Sequence, residues 1–335
     1  MKILFYDPLT PTPYTNLTLR LSALRGTEAT VIRIAQGLKN THLIYVAQHC
    51  RHQDELSDGV HYISFDTAQR LTPDVVILLR QPRLLDKMAS CFPKARLYFW
   101  LHNLPSRRLY HYRDSLIKHK YEIITVSQFH CKITKQKLEG KWYQRIFYPK
   151  QTHPIPIHFL YNPIDELLAP DATPINPNQL IFTSAPYKGL TQTLKLFTAI
   201  REHYPEYELL IANPDGIVPS FHLPKQARFL PPLPHQELIQ HIRTSFCVFY
   251  PQTERVETFG LVYAEANAVG TPVLAHDKGA AREVLSDVSQ LIDAKKISTL
   301  ISKLADWRVT RPLIRGKPEF QLNRVIATWL ALLNR

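Results

Sequence analysis

The sequence predicts an α/β protein built as two parallel-sheet halves, and three observations carry that expectation. Short β-rich runs alternate with helical stretches along the chain, the order seen when parallel strands are joined by helices. The length of 335 residues exceeds what one hydrophobic core usually serves, so two domains are the default. Between the halves, residues 152–177 change character and hold Pro154, Pro156, Pro163, Pro170, Pro174 and Pro177. Proline restrains the chain without donating a backbone hydrogen bond, so this stretch reads as a connection.

In the first half the strand candidates are residues 2–7, 43–47, 60–65, 74–79, 96–102 and 122–127. Residues 27–38 follow the Gly26 turn and place Val31, Ile34, Ala35 and Leu38 on one face, as an amphipathic helix does. Residues 158–161 read as a last strand before Asn162-Pro163. The alternation then restarts with strands at 180–184, 208–212, 228–230, 246–250, 272–275 and 290–293. Helices are expected at 190–203, 236–242, around Glu265, and at 296–307. The last stretch, 320–333, carries Leu322, Val325, Ile326, Trp329, Leu330 and Leu333 on one helical face. No internal repeat or low-complexity tract interrupts the pattern.

Composition narrows the class of protein. A hydrophobic content of 45% supplies enough apolar material for two cores. Cys50, Cys91, Cys131 and Cys247 are scattered without a Cys-x-x-Cys pair, which argues against zinc or a disulfide framework and for a reducing compartment. The apolar run at 2–7 is too short for a signal peptide, and no stretch approaches the ~20 residues that span a bilayer. The net charge of +13 is uneven: residues 94–150 hold thirteen Lys or Arg against Asp114, Glu122 and Glu139. Such a block suits an anionic partner, whether a phosphorylated glycan, a lipid headgroup surface or nucleic acid. Trp100, Tyr110, Tyr112, Trp142 and Tyr143 interleave with the charges, which suits stacking on sugars as well as bases. A solvated basic face without a partner would have the same composition. The chain has no helix-turn-helix signature, zinc spacing or RNP-like aromatic strand, which weighs against nucleic acid.

Residues 257–285 carry the most specific signal. Glu257 stands just before an expected helix start, Thr258-Phe259-Gly260-Leu261, and Glu265 follows eight positions later inside that helix. A Gly270-Thr271-Pro272 turn, a short buried strand and a turn at Gly279 come next. A helix N-terminus presents open N–H groups and partial positive charge, which suit a phosphate. A carboxylate further into the helix can accept hydrogen bonds from a diol such as a ribose. An ordinary amphipathic helix followed by a strand would share the periodicity, but it gives no reason for Glu257, Gly260 and Glu265 in this arrangement. Upstream, Ile181-Phe-Thr-Ser-Ala-Pro-Tyr-Lys188-Gly189 ends a strand and opens a helix, placing Lys188 where it could reach a diphosphate.

The Glu257 to Glu265 segment resembles the Glu-x7-Glu region of retaining glycosyltransferases of family 4 (glycosyl transferases group 1). The resemblance is sharp over 246–285 and coarser elsewhere. It implies the GT-B fold: two Rossmann-like α/β domains facing across a cleft, with a C-terminal helix crossing back to the first. The implied boundaries are an acceptor-binding domain at 1–165, joined by the helix at 318–335, and a donor-binding domain at 166–317. By position, Glu257 lies beside the donor sugar, Glu265 holds the ribose hydroxyls, and Thr258, Phe259, Gly260 and Leu261 offer backbone N–H groups. Lys188 grips the diphosphate and His102, after the strand at 96–101, faces the donor sugar. The glycine-rich loop of the family has a counterpart in Arg25-Gly26-Thr27-Glu28, with Gly26 near a phosphate and Thr27 capping the helix. Val126-Ser127 and Asn162-Pro163-Ile164 match weaker family positions. The arginine that usually precedes the Lys-Gly pair is missing; Thr183, Ser184 and Ala185 stand there, leaving Ser184 or Arg255 to assist Lys188.

The resemblance implies transfer of a hexose-type sugar from a nucleotide-diphosphate sugar to a glycan or lipid-linked acceptor, anionic and of surface-polysaccharide type. No cofactor is expected, and with no Asp-x-Asp motif no metal either. A cytoplasmic location, with peripheral attachment to an anionic membrane surface, follows from the same expectations. Two alternatives stay open at this point: a nucleotide-sugar epimerase on the same fold, and a non-catalytic protein that binds nucleic acid or donor.

Overall fold

The computed structural model describes residues 1–139, 154–214, 216 and 222–335. Its contacts divide the chain into two units. The first comprises Met1–Leu17, Thr27–Pro163 and Leu322–Arg335, and the second Thr18–Gly26 and Ile164–Gln321.

In the first unit, among the described residues, β1 (Lys2–Asp7) lies inside a sheet of order β3-β4-β2-β1-β5-β6-β7-β8. The other strands are β2 (Leu43–Gln48), β3 (Glu55–Ser57), β4 (Val60–Ile63), β5 (Val75–Leu79), β6 (Arg96–Trp100), β7 (Glu122–Thr125) and β8 (Ile157–Phe159). Pairing is parallel except between β3 and β4. Central strands buried on both faces should be apolar throughout, and Val75 to Leu79 are all fully buried. The helices of this part of the chain are α1 (Asn16–Leu21), α2 (Gly26–Leu38), α3 (Phe65–Gln69), α4 (Leu85–Cys91), α5 (Arg113–Lys118) and α6 (Gln128–Glu139), of which Thr18–Leu21 of α1 and Gly26 of α2 group with the second unit.

The second unit has the order β11-β10-β9-β12-β13-β14 and is parallel throughout. Its strands are β9 (Asn176–Thr183), β10 (Glu208–Ala212), β11 (Ala227–Phe229), β12 (Ser245–Tyr250), β13 (Val273–His276) and β14 (Leu291–Ile292). Its helices are α7 (Leu190–Arg201), α8 (His235–Thr244), α9 (Leu261–Ala268), α10 (Ala281–Val284) and α11 (Ile297–Val309). The last helix, α12 (Leu322–Leu333), belongs to the first unit. Two parallel-sheet α/β units, with the final helix returned to the first, are the architecture expected above.

Several expected elements are corrected. The strand at 60–65 stops at Ile63, because Ser64 caps α3: its Oγ accepts the Thr67 N–H at 3.2 Å. Thr27 does not cap α2, which already begins at Gly26. The proline-rich connection ends sooner than expected, since β9 takes in Pro177. The segment Thr18–Gly26 groups with the second unit, and the change of unit falls between Pro163 and Ile164. Residues up to Gln321 stay with the second unit because Ile164 N–H donates to Phe320 O at 2.8 Å and Ile164 bridges Gln321. Trp142 and Tyr143, and the charges of the basic block from 141 onward, lie outside the described residues.

Two features hold the first unit together. Trp329 of α12 is fully buried, 4.9 Å from Trp100 and 6.0 Å from Phe5 between ring centroids. The buried face of the helix runs Val325, Ile326, Trp329, Leu332 and Leu333, so Leu332 replaces the expected Leu322 and Leu330. The second feature is His130 on α6. Ser127 Oγ accepts the His130 N–H at 3.0 Å, while the ring accepts from Val126 N–H at Nδ1 (3.4 Å) and donates from Nε2 to Asn103 O (3.0 Å). This pattern needs the neutral ring. Burial lowers the His130 pKa from 6.5 to about 4, the bond to Asn103 opposing only in part.

Replacing Trp329 with Ala should cost about 3–5 kcal/mol of stability, since a large aromatic leaves a cavity against Phe5 and Trp100; urea denaturation measures it. His130 makes stability pH-dependent in a defined direction. As pH falls through 6.5 the unfolded chain takes up a proton that the folded ring refuses until about 4. Stability should therefore decline across that window, by up to about 3 kcal/mol from this group, and change no further on its account below it. Denaturation at pH 7.5 and 4.5, with His130→Gln beside the wild type, should show a shallower loss in the variant.

Candidate functional site

In the second unit, a single 3-10 turn, Pro186–Lys188, leads from β9 into α7. Gly189 follows with φ of 93°, a left-handed conformation that side chains resist. A Cβ there would also lie 2.5 Å from Gln252 Cβ. Glycine thus lets the Lys188 turn lie directly against the loop after β12. Gln252 is buried in that loop and fixes it, accepting the Arg255 N–H at 2.8 Å and donating to Arg255 O at 3.1 Å.

This packing brings Lys188 onto Glu257. Lys188 Nζ donates to Glu257 Oε1 at 3.0 Å and Oε2 at 3.2 Å, and the Tyr250 hydroxyl donates to Oε1 at 2.9 Å. The Glu257 side chain is 12% exposed and that of Lys188 36%. Screening limits such a pair as a source of stability, and its interest lies in chemistry. Burial, and then the facing Glu257 carboxylate, hold the Tyr250 phenol well above its ordinary pKa, so it remains a neutral donor. Glu257 O accepts the Ala280 N–H at 3.1 Å, which ties the loop to the turn before α10.

Beyond Glu257, Thr258 is half-buried and Phe259 is buried, its ring 5.1 Å from that of Phe320. Gly260 opens α9 with φ of 87°, and a Cβ there would fall 2.6 Å from the Tyr263 ring. The open N–H groups of the first turn of α9, at Leu261, therefore follow Glu257 after a three-residue approach. Further along α9, Glu265 is buried and receives a hydrogen bond from His235 Nε2 at 2.8 Å on Oε1. Arg255 is exposed, and its Nε donates to Tyr187 O at 3.3 Å. Gly26 groups with this unit, and a Cβ on it would come within 3.0 Å of Leu261 Cδ1.

Lys188, Ser184, Glu257 and the Gly260 helix start are thus gathered within one unit, with Glu265 on the same helix as Gly260. Sequence reasoning missed Tyr250 and His235. The signal for Tyr250 was its place as the last residue of a buried strand next to the glutamate loop. His235 had none beyond standing at a helix start.

His102 lies in the first unit, after β6. It is buried, 4.3 Å from Trp100 between rings, and burial, followed by Arg80 and His130, drives its pKa well below 6.5. Near it in charge is a second group the sequence did not suggest. Arg80, in a left-handed conformation after β5, donates to Asp7 Oδ1 at 2.6 Å and lies 3.7 Å from Glu28 Oε1. The Tyr14 hydroxyl donates to Asp7 Oδ2 at 3.1 Å. Of the basic block, Arg107, Arg108, Lys118, Lys120, Lys132 and Lys135 are exposed.

Residues 173–309 match the family model described as glycosyl transferases group 1. A GDP-mannose-dependent monoacylated alpha-(1-6)-phosphatidylinositol monomannoside mannosyltransferase of Corynebacterium glutamicum is 27% identical over 140 residues, 38% of this chain. The matched stretch spans 37% of that relative's length. Among solved structures, a sucrose-phosphate synthase from Thermosynechococcus elongatus aligns over 100% of this chain and 98% of its own, with a TM-score of 0.66 at 13% identity. An alpha,alpha-trehalose-phosphate synthase (UDP-forming) from Burkholderia xenovorans aligns over 100% of both chains, with a TM-score of 0.65 at 10% identity. Residues 173–309 are thus similar to the glycosyl transferases group 1, and the chain carries the GT-B fold.

Proposed function

We propose that the chain is a retaining glycosyltransferase that moves a hexose-type sugar from a nucleotide-diphosphate sugar to an anionic glycan or lipid-linked acceptor. The observation that carries the reading is the contact of Lys188 and Tyr250 with Glu257, ahead of the N-terminus of α9. A retaining transfer builds positive charge on the sugar and negative charge on the departing diphosphate, while the acceptor hydroxyl attacks from the same face. In this reading Lys188 and the open N–H groups of α9 stabilise the departing diphosphate. Each such pre-oriented donor contributes about 3 kcal/mol to the transition state. Glu257 orients the sugar, and Glu265, steadied by His235, accepts the ribose hydroxyls. His102 is kept in this proposal as a residue that faces the sugar. Neutralisation by side chains and backbone asks for no cofactor.

The acceptor reading rests on charge. Exposed Arg107, Arg108, Lys118, Lys120, Lys132 and Lys135 suit phosphate or another anionic group. The phosphatidylinositol mannoside acceptor named for the Corynebacterium relative fits the same preference. Among the described residues no helix is long and apolar enough to cross a membrane. Peripheral attachment to an anionic cytoplasmic surface completes the proposal.

Thermal shift and donor hydrolysis with UDP-glucose, UDP-N-acetylglucosamine, GDP-mannose and ADP-glucose test it. One nucleotide class should raise the melting temperature of the wild type. Glu265→Ala should abolish that rise, and Glu257→Ala and Lys188→Ala should each lower turnover by about 100-fold or more with the fold intact. Turnover near wild type in either of the last two would refute the site. An isomerised nucleotide sugar, formed without acceptor and without release of nucleoside diphosphate, would point to an epimerase.

A further inference from the structure

Lys188 faces two demands. Its ammonium has three N–H donors, and contacts at 3.0 and 3.2 Å already direct it to both oxygens of Glu257. A diphosphate brings more negative charge than a carboxylate and draws the same ammonium. As Lys188 turns to the phosphates, Glu257 loses the donor it shares with them. The Tyr250 hydroxyl has no such second duty. It comes from the end of β12, is buried, and donates to Glu257 Oε1 at 2.9 Å. Its ring is held from two sides, stacked on Phe182 at 5.4 Å and edge-on to Tyr263 at 5.7 Å. Nothing in that packing needs the oxygen: a phenylalanine would fill the same space.

We propose that Tyr250 is a positioning residue for sugar transfer, the fixed donor that keeps the Glu257 carboxylate aimed at the sugar while Lys188 engages the diphosphate. The proposal rests on the reading of Glu257 as the sugar-orienting carboxylate. Tyr250 touches neither sugar nor phosphate in this scheme and acts only through Glu257. Its removal therefore affects the transition state more than donor binding, because Lys188, Glu265 and the α9 terminus still hold the nucleotide diphosphate.

The test is steady-state kinetics of Tyr250→Phe and Glu257→Gln beside the wild type, with whichever of UDP-glucose, UDP-N-acetylglucosamine, GDP-mannose or ADP-glucose is turned over. Released nucleoside diphosphate is the readout, and melting temperature is followed in parallel. Tyr250→Phe should lower kcat by about 10- to 100-fold, the worth of one hydrogen bond to a charged group, with donor KM within about 3-fold of wild type. A Lys188→Met, Tyr250→Phe double variant should lose the two single-variant factors multiplied together, since in the working complex the two donors serve different groups. If Tyr250→Phe keeps wild-type kcat while Glu257→Gln is inactive, the positioning role is wrong and the reading of Glu257 stands. The positioning role is equally refuted if the variant only melts earlier, or raises KM alone. If Glu257→Gln also turns over normally, the reading of the site falls and this proposal with it.

Discussion

A largely buried carboxylate must be given donors, and the second unit is organised around meeting that need at Glu257. Lys188 reaches it only because Gly189, in a left-handed conformation, lets the turn after β9 lie against Gln252. Tyr250 reaches it because β12 ends where the loop begins. Gly260 then turns the chain into α9 so that the helix start follows within three residues of the carboxylate. Each step is a backbone constraint first and an electrostatic one second. The pieces are therefore interdependent: a side chain at position 189 or 260 would displace the donors and the helix terminus together.

The first unit solves a different problem. The central strands of its sheet are apolar on both faces, so polar groups gather at their ends. Arg80 pairs there with Asp7, 73 positions away, and stands near Glu28, while the Tyr14 hydroxyl donates to Asp7. His130 is likewise committed to its neutral tautomer by Val126 and Asn103. The return of α12 closes the apolar side, with Trp329 between Phe5 and Trp100. A chain that begins and ends in the same unit ties its first strand to its last helix, and stability there depends on both.

What was legible in the sequence was what is local. Glu257, Gly260 and Glu265 lie within nine residues, and their spacing along a loop and helix shows in the sequence without knowledge of the fold. The strands β5 and β12, and the second half of β9, announce themselves as apolar runs. The rest depends on partners distant in the chain or on polar caps. His235 meets Glu265 across 30 positions, and Tyr250 has the sequence character of an ordinary core tyrosine. Strand β3 is short, polar and exposed, so no periodicity marks it. Phe65 extends an apolar run and looks like strand, yet the Ser64 cap turns it into the first residue of a helix.

The departure from the family pattern at 183–185 acquires a physical sense beside Tyr250. Thr183 and Tyr250 end neighbouring parallel strands, so the two positions lie together at the C-terminal end of the sheet. A cation at such a strand end would compete with Lys188 for Glu257 and for a phosphate alike. A neutral phenol does only the first. Burial and the facing carboxylate hold Tyr250 protonated, so it offers a hydrogen bond to Glu257 and adds no charge that a diphosphate could claim. In the proposed scheme, with Thr183 and Ser184 in place of a basic side chain, Lys188 is the mobile charge and Tyr250 the fixed dipole. On that proposal, the division would let one carboxylate stay in place while its cation changes partners.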